Sequence, residues 1–292
     1  MERLNREEIK GLLKGGIDLH LHTSPDIFPR KLDDIEAAVQ AKEAGLRGVV
    51  LKNHFFPTVE RAILGEAKTG FNLMGSITLN KAVGGINPYA VEIAIKEGAK
   101  IVWMPTIHSL KTVKEPDIVG IFKTVVRPGE DGLSVLKQNK LLPEIYNILE
   151  IIREHNVALA TGHIYPFEVI ALVKKSAEMK LKKVIITHPF SSLVGMSMDQ
   201  IRELIDLSLN IYVEFTCYDC CPQIKNPLTF EQVREYISHI GPERVVITSD
   251  GGQRGNPYPV DMLADMIKNL LPSFSHKDIR LMLVDNPSYL IS

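Results

Sequence analysis

The sequence predicts an α/β fold, a single (β/α)8 TIM barrel over residues 1–292, on three observations. Eight short Val/Ile-rich runs recur along the chain, each followed by a helix-like segment or by a long loop and then a helix. Such alternation calls for parallel strands joined by right-handed crossovers. The length of 292 residues suits one closed barrel, for which about 250 residues is typical, and no break in composition marks a second domain. An open doubly wound sheet is the alternative.

The elements follow in order. Residues 1–16 read as a charged, helix-like lead-in without a signal-peptide core. In 17–23, apolar Ile17, Leu19 and Leu21 alternate with Asp18, His20 and His22. A period of two predicts a strand with one greasy face and one face carrying ligands. A helix over 32–44 ends at Gly45, a strand over 48–52 ends in Asn53-His54, and a helix over 57–68 begins with a proline. Strand 72–78, helix 88–97 and strand 99–104 continue the cycle.

The fourth connection, 105–142, shows no clear helix and contains Pro116, Pro128 and the turn-prone run 129–132. It reads as a long β4-α4 excursion over the barrel mouth, with a small hairpin and a lid role. Helix 143–155, strand 157–161, helix 166–179 and strand 183–187 follow. Helix 199–207, strand 210–215, helix 229–240 and strand 244–249 complete the eight units, and helices 260–270 and 276–283 close the chain.

Composition narrows the partners. With 34 basic and 35 acidic residues the net charge is -1, which gives no global attraction to nucleic acid or to an anionic membrane. No apolar run approaches the roughly 20 residues of a membrane span. The expected partner is a small-molecule substrate, the expected location cytoplasmic, and the expected assembly either a monomer or a homo-oligomer. Cys217, Cys220 and Cys221 are too few and too clustered for a disulfide scaffold, and their C-x-x-C-C run lacks the second pair of a metal site.

Function in such a barrel gathers at the C-terminal ends of strands. Strand one ends in His20 and His22, strand two in Lys52 and His54, and strand five in His163. Strand six ends in His188, strand seven in Glu214 and strand eight in Asp250. Parity places Val184, Ile186 and His188 on one face of strand six, and Val246, Thr248 and Asp250 on one face of strand eight. Neutral imidazoles with a carboxylate suit Zn²⁺ or another divalent metal with an open position. His155, His239 and His276 fall on helices or loops and are expected to face solvent.

The chain resembles the amidohydrolase superfamily, metal-dependent barrel hydrolases with His-x-His on strand one, a His on each of strands five and six, and an Asp on strand eight. The approach to Asp250, Ile240-Gly241-Pro242-Glu243-Arg244, and the closing Asp285-Asn286-Pro287-Ser288-Tyr289-Leu290 resemble its amidohydrolase-related branch. The resemblance implies His20, His22, His163, His188 and Asp250 as metal ligands, with Asp250 and His188 catalytic. Only 16 residues precede the first strand, so the superfamily's small β-sandwich domain is not expected. One departure is that strand four ends in Val102-Trp103-Met104 and lacks the bridging Lys or Glu of binuclear members. Lys52 is the candidate for a carbamate bridge, so the metal count is one or two ions. Arg30, His54, His108, Tyr165, Glu214 and Tyr218 are candidate substrate contacts.

The expected function is hydrolysis, by a metal-activated water, of a C–N or C–O bond in an amide, cyclic amide or lactone. The alternatives are a metal-dependent non-oxidative decarboxylase of an aromatic or unsaturated acid and a catalytically silent metal-binding barrel. A phosphoesterase with a similar opening motif would carry Asp-x-His late in the chain, where this sequence has Asp250-Gly251-Gly252.

Overall fold

A slip in the first strand decides which way its histidines point. In the computed structural model, which describes residues 6–115, 120–127 and 129–292, β1 (Ile17–Leu21) pairs in parallel with β2 (Gly48–Leu51), and the register shifts between Asp18 and Leu21. Ile17 and Leu19 pack inward against Trp103, whereas Leu21 joins the layer beneath the helices. His20 also reaches inward, its ring centroid 4.6 Å from that of Trp103. The strict alternation expected over 17–23 therefore breaks at Leu19-His20. Irregularities of this kind re-aim side chains next to functional sites.

The remaining strands run in two parallel sheets. β2 continues to β3 (Asn72–Met74), completing a three-stranded sheet. After Gly75 the chain resumes as β4 (Ser76–Thr78), which pairs with β5 (Ile101–Trp103). The single strand expected over 72–78 is thus interrupted. A Cβ on Gly75 would lie 2.3 Å from Val59 Cα, so the glycine lets the start of the preceding helix, at Val59, approach the sheet. β6 (Leu136–Lys137) and β7 (Lys140–Leu141) form an antiparallel hairpin. β8 (Ala158–Ala160), β9 (Val184–Ile186), β10 (Ile211–Thr216) and β11 (Val245–Thr248) complete a six-stranded sheet of order β11-β10-β9-β8-β5-β4. Beyond the strand ends, His22 N–H donates to Gly251 C=O at 3.1 Å, bringing β1 beside β11.

The helices are α1 (Arg6–Leu13), α2 (Asp34–Glu43), α3 (Val59–Thr69), α4 (Pro88–Glu97), α5 (Leu110–Lys114) and α6 (Pro143–His155). They continue with α7 (Pro166–Glu178), α8 (Met198–Ile205), α9 (Phe230–Ile240), α10 (Pro259–Leu270), α11 (His276–Arg280) and α12 (Asn286–Ile291). Their starts are written locally. Asp33/Glu36, Ser197/Gln200 and Thr229/Gln232 form reciprocal capping pairs, and prolines open α4, α6, α7 and α10. A stretch of π-helix, Leu281–Asp285, joins α11 to α12, so the last helix runs further than expected.

Two cores result. The larger lies between strands and helices, and the smaller gathers Ile17, Val50, Met74, Trp103, Ala160 and Ile185 with Tyr212 and Val246 inside the strands. The 104–142 connection holds α5, a 3-10 turn at Gly120–Thr124 and the β6-β7 hairpin. Pro116 and Pro128, read as breakers, lie outside the described residues. Among the described residues no helix is long and apolar enough to cross a membrane.

Candidate metal centre

β1 delivers His20 and His22, and the turn after β11 delivers Asp250. Among the described residues, ligand atoms of these three, all buried, lie within 4.8 Å of one another. Asp250 Oδ1 is 3.1 Å from His20 Nε2 and 3.2 Å from His22 Nε2. The two loops are locked together by Lys31 N–H donating to Gly252 C=O at 2.8 Å. Gly252 has φ +104, and a Cβ there would fall 1.7 Å from His22 O, so only glycine permits this approach.

His163, after β8, and His188, after β9, stand beside this group. Their Nε2 atoms are 3.2 Å apart, and the His188 ring stacks 6.2 Å from that of His20. Strand parity does not explain His188. Val184 and Ile186 face the helix layer, and Ile185 faces inward. His188 turns into the site because its backbone adopts φ +22, and Asp250 likewise has φ +42. Non-glycine residues at positive φ store strain, and here both point at one centre. Val246, by contrast, faces inward on the parity shared with Asp250.

Lys52, on the residue after β2, is 1% exposed and places Nζ 2.8 Å from His20 Nε2 and 4.3 Å over the Trp103 ring. Burial pushes its ammonium down to about 8, against the opposing pull of Asp250 and Glu214. Burial holds His20, His22, His54 and His163 well below the usual imidazole range, assisted by neighbouring cations, and brings His188 to about 3. Burial raises Asp250 well above the usual carboxylate range. The chain therefore holds neutral imidazoles in one buried cluster around a carboxylate. The Nδ1 atoms of His163 and His188 find no hydrogen-bond partner in it. A divalent cation fits this donor set, since neutral nitrogens and a carboxylate are what it binds.

The other expected contacts separate into two groups. Arg30, His54 and Tyr218 line a cavity of about 350 Å³, together with His22, Lys52, His163 and Asp250. Arg30 is already engaged: Nη2 lies 2.7 Å from Asp26 Oδ2 and 3.2 Å from His22 Nδ1. His54 Nδ1 is 2.9 Å from Thr106 Oγ1, and its ring stacks on His22 at 4.7 Å. His108, Tyr165 and Glu214 do not line the cavity. His108 is held by its backbone N–H to Asn80 Oδ1, Tyr165 stacks on Phe167, and Glu214 faces His20 from within the strands. His155, His239 and His276 are exposed.

Several residues escaped the sequence reading. Trp103 forms a wall against both His20 and Lys52, and its position was visible only as an apolar residue on a strand. Asp18 accepts the Ser249 N–H at 3.0 Å, tying β1 to the end of β11. Phe28 and Phe122 furnish apolar walls, and Gln253 and exposed Arg254 sit on the cavity lining. Loop residues of this sort carry no periodic signal. Cys217, Cys220 and Cys221 are free thiols.

Solved structures share this architecture at low sequence identity. An amidohydrolase from Pseudomonas aeruginosa superposes with a TM-score of 0.67 at 11% identity, covering 99% of this chain and 98% of that one. A probable 2-pyrone-4,6-dicarboxylic acid hydrolase from Acinetobacter baumannii, with citric acid bound, gives 0.61 at 13% identity over 95% and 99%. A 2,6-dihydroxybenzoate decarboxylase from Rhizobium gives 0.56 at 13% over 95% and 98%. These likenesses show that the chain has the fold of amidohydrolase-superfamily enzymes. No curated protein matches its sequence. Residues 15–214 match a family of unknown function (DUF6282), and the chain belongs to that family.

Proposed function

We propose that this protein is a metal-dependent hydrolase that opens a C–N or C–O bond, as in an amide, cyclic amide or lactone, of a small molecule. The observation that carries the reading is the convergence of His20, His22 and Asp250 within 4.8 Å, with His22 and Asp250 lining a cavity of about 350 Å³ that has apolar walls. The fold shared with amidohydrolase-superfamily enzymes supports it, one structural neighbour being described as a probable 2-pyrone-4,6-dicarboxylic acid hydrolase. We read the two sheets as one closed (β/α)8 barrel, with Gly75 joining them on one side and the His22–Gly251 bond on the other. The 104–142 connection then crosses the barrel mouth, a reading supported by Phe122 in the cavity wall.

His20, His22 and Asp250 would hold the cation, with His163 and His188 beside them. The nitrogen-rich donor set favours Zn²⁺. A bound divalent cation supplies a Lewis acid and lowers the pKa of a coordinated water towards about 7. Burial alone raises the Asp250 carboxyl, whereas a bound cation would favour its carboxylate, and that carboxylate would take a proton as water adds to the substrate carbonyl. It returns that proton to the departing oxygen or nitrogen, so the residue ends the cycle as it began. Neutral His188, catalytic on the expected reading, does not itself line the cavity and would reach a carbonyl oxygen only past His163, whose Nε2 is 3.2 Å away. Lys52, partly neutral near pH 8, is placed to form a carbamate and so to hold a second ion.

Elemental analysis of the purified chain, followed by turnover against panels of lactones, cyclic amides and linear amides, tests the reading. Bound metal with hydrolysis of at least one class is the expected result. CO₂ release from aromatic acids without any hydrolysis would move the assignment to a decarboxylase, and the absence of bound metal would sink both.

A further inference from the structure

Glu214 does not reach the cavity, yet it is 1% exposed and aimed at the site from the far side. Its Oε1 lies 3.0 Å from His20 Nδ1 and accepts the Thr248 hydroxyl at 2.8 Å. β11 lies between β1 and β10, so the pair spans a strand, and Thr248 on that middle strand braces it. On the opposite edge of the same ring, Lys52 Nζ lies 2.8 Å from Nε2. Two acceptors compete for the single ring proton, Glu214 Oε1 at Nδ1 and Asp250 Oδ1 3.1 Å from Nε2; with an N–H of Lys52 donating to Nε2, the proton sits on Nδ1, facing Glu214, and loss of Glu214 leaves Asp250 to claim it.

We infer that Glu214 is a positioning residue, which fixes His20 in the Nδ1–H tautomer and so presents the Nε2 lone pair to the cation site. This role replaces the substrate contact expected for Glu214 from the sequence. A histidine that binds metal through one nitrogen commonly donates its other N–H to a carboxylate, which sets ring orientation and raises basicity. The consequence for metal affinity rests on the proposed metal reading, but the tautomer is a property of the chain itself.

The test uses metal-free, ¹⁵N-histidine-labelled protein and long-range ¹H–¹⁵N NMR. Wild-type His20 is expected to show a protonated Nδ1 and an unprotonated Nε2. Glu214→Leu, which removes the acceptor, is expected to shift His20 towards Nε2–H, and to weaken Zn²⁺ binding about 10- to 100-fold in competition with a chelator. Glu214→Gln keeps an acceptor oxygen, so it should retain Nδ1–H, with that proton resonance moved upfield as a charged hydrogen bond becomes neutral. The Gln variant serves alone if the Leu variant does not fold. An Nε2–H tautomer in the wild type, an unchanged tautomer in Glu214→Leu, or an unmoved Nδ1–H resonance in Glu214→Gln overturns the inference. Expected tautomers in a protein that takes up no metal would leave the positioning role standing and remove the hydrolase reading instead.

Discussion

Arg30 Nη2 lies 3.2 Å from His22 Nδ1, which gives the two histidines of the first strand opposite tautomers. A guanidinium only donates, so His22 Nδ1 accepts and its proton sits on Nε2, facing Asp250 Oδ1 at 3.2 Å. His20 is the reverse, with its proton on the side of Glu214. In the proposed metal centre His20 would then offer its Nε2 lone pair to the cation. His22 becomes ready only when its proton moves to Nδ1 and Arg30 lets go.

Releasing that contact should therefore favour the metal. Arg30→Met combined with Asp26→Asn removes the guanidinium without stranding the buried Asp26 carboxylate, which it pairs with at 2.7 Å. Zn²⁺ affinity of the double variant is expected to rise about tenfold, roughly the free energy of one charged hydrogen bond. Chelator competition reads it directly. Unchanged or weaker binding would show that Arg30 does not oppose the cation.

Asp250 combines a proposed catalytic role with a strained backbone. At φ +42 it sits where Asn is tolerated better than most residues, so Asp250→Asn should cost little in folding. It cannot take a proton from water, and kcat at saturating Zn²⁺ is expected to fall roughly 10²- to 10⁴-fold. Steady-state kinetics on the best lactone or amide of the panel would measure this. Wild-type turnover in the variant would remove Asp250 from the chemistry.

Lys52 is placed to compete with the cation or to help hold it. As a free amine its Nζ occupies the direction of the His20 Nε2 lone pair. Carboxylation by CO₂ releases one proton and turns that competitor into an oxygen ligand. Burial already favours the neutral amine that this reaction needs. Metal content of the wild type is expected to rise with added bicarbonate, and that of Lys52→Met to be lower by one ion and insensitive to it. Bicarbonate-independent loading of the wild type would rule the carbamate out.

Much of this arrangement was legible because the barrel rule places chemistry at strand ends, and His20, His22, His163, His188 and Asp250 stand there in order. What the sequence hid was local geometry. The slip between Asp18 and Leu21 turns two consecutive side chains, Leu19 and His20, inward, and an alternation rule cannot express that. The positive φ of His188 is invisible in a strand whose Val184 and Ile186 face the opposite way. Glu214 is legible as a polar residue at the end of an apolar strand, but whether it faces substrate or a histidine depends on β1 lying one strand beyond β11. Long-range partnerships such as Asp18 with Ser249 leave no local trace at all.

Asp219 supplies a pH dependence separate from the metal centre. Its carboxyl is 3% exposed, its Oδ1 has no hydrogen-bond partner, and burial pushes it up to about 7 despite bonds from Ser191 and Thr216. Between its unfolded value near 3.8 and about 7, the folded chain holds a proton that the unfolded chain has released. Stability from this group is therefore full below about pH 4 and is lost as the pH climbs towards 7. Asp219→Asn cannot titrate, so the stability difference between variant and wild type should move in the variant's favour by roughly 1–3 kcal/mol from pH 5 to pH 8. Urea unfolding at the two pH values measures that change independently of any fixed cost of the amide. A difference that stays constant with pH would mean that Asp219 keeps an ordinary carboxylate pKa in the folded chain.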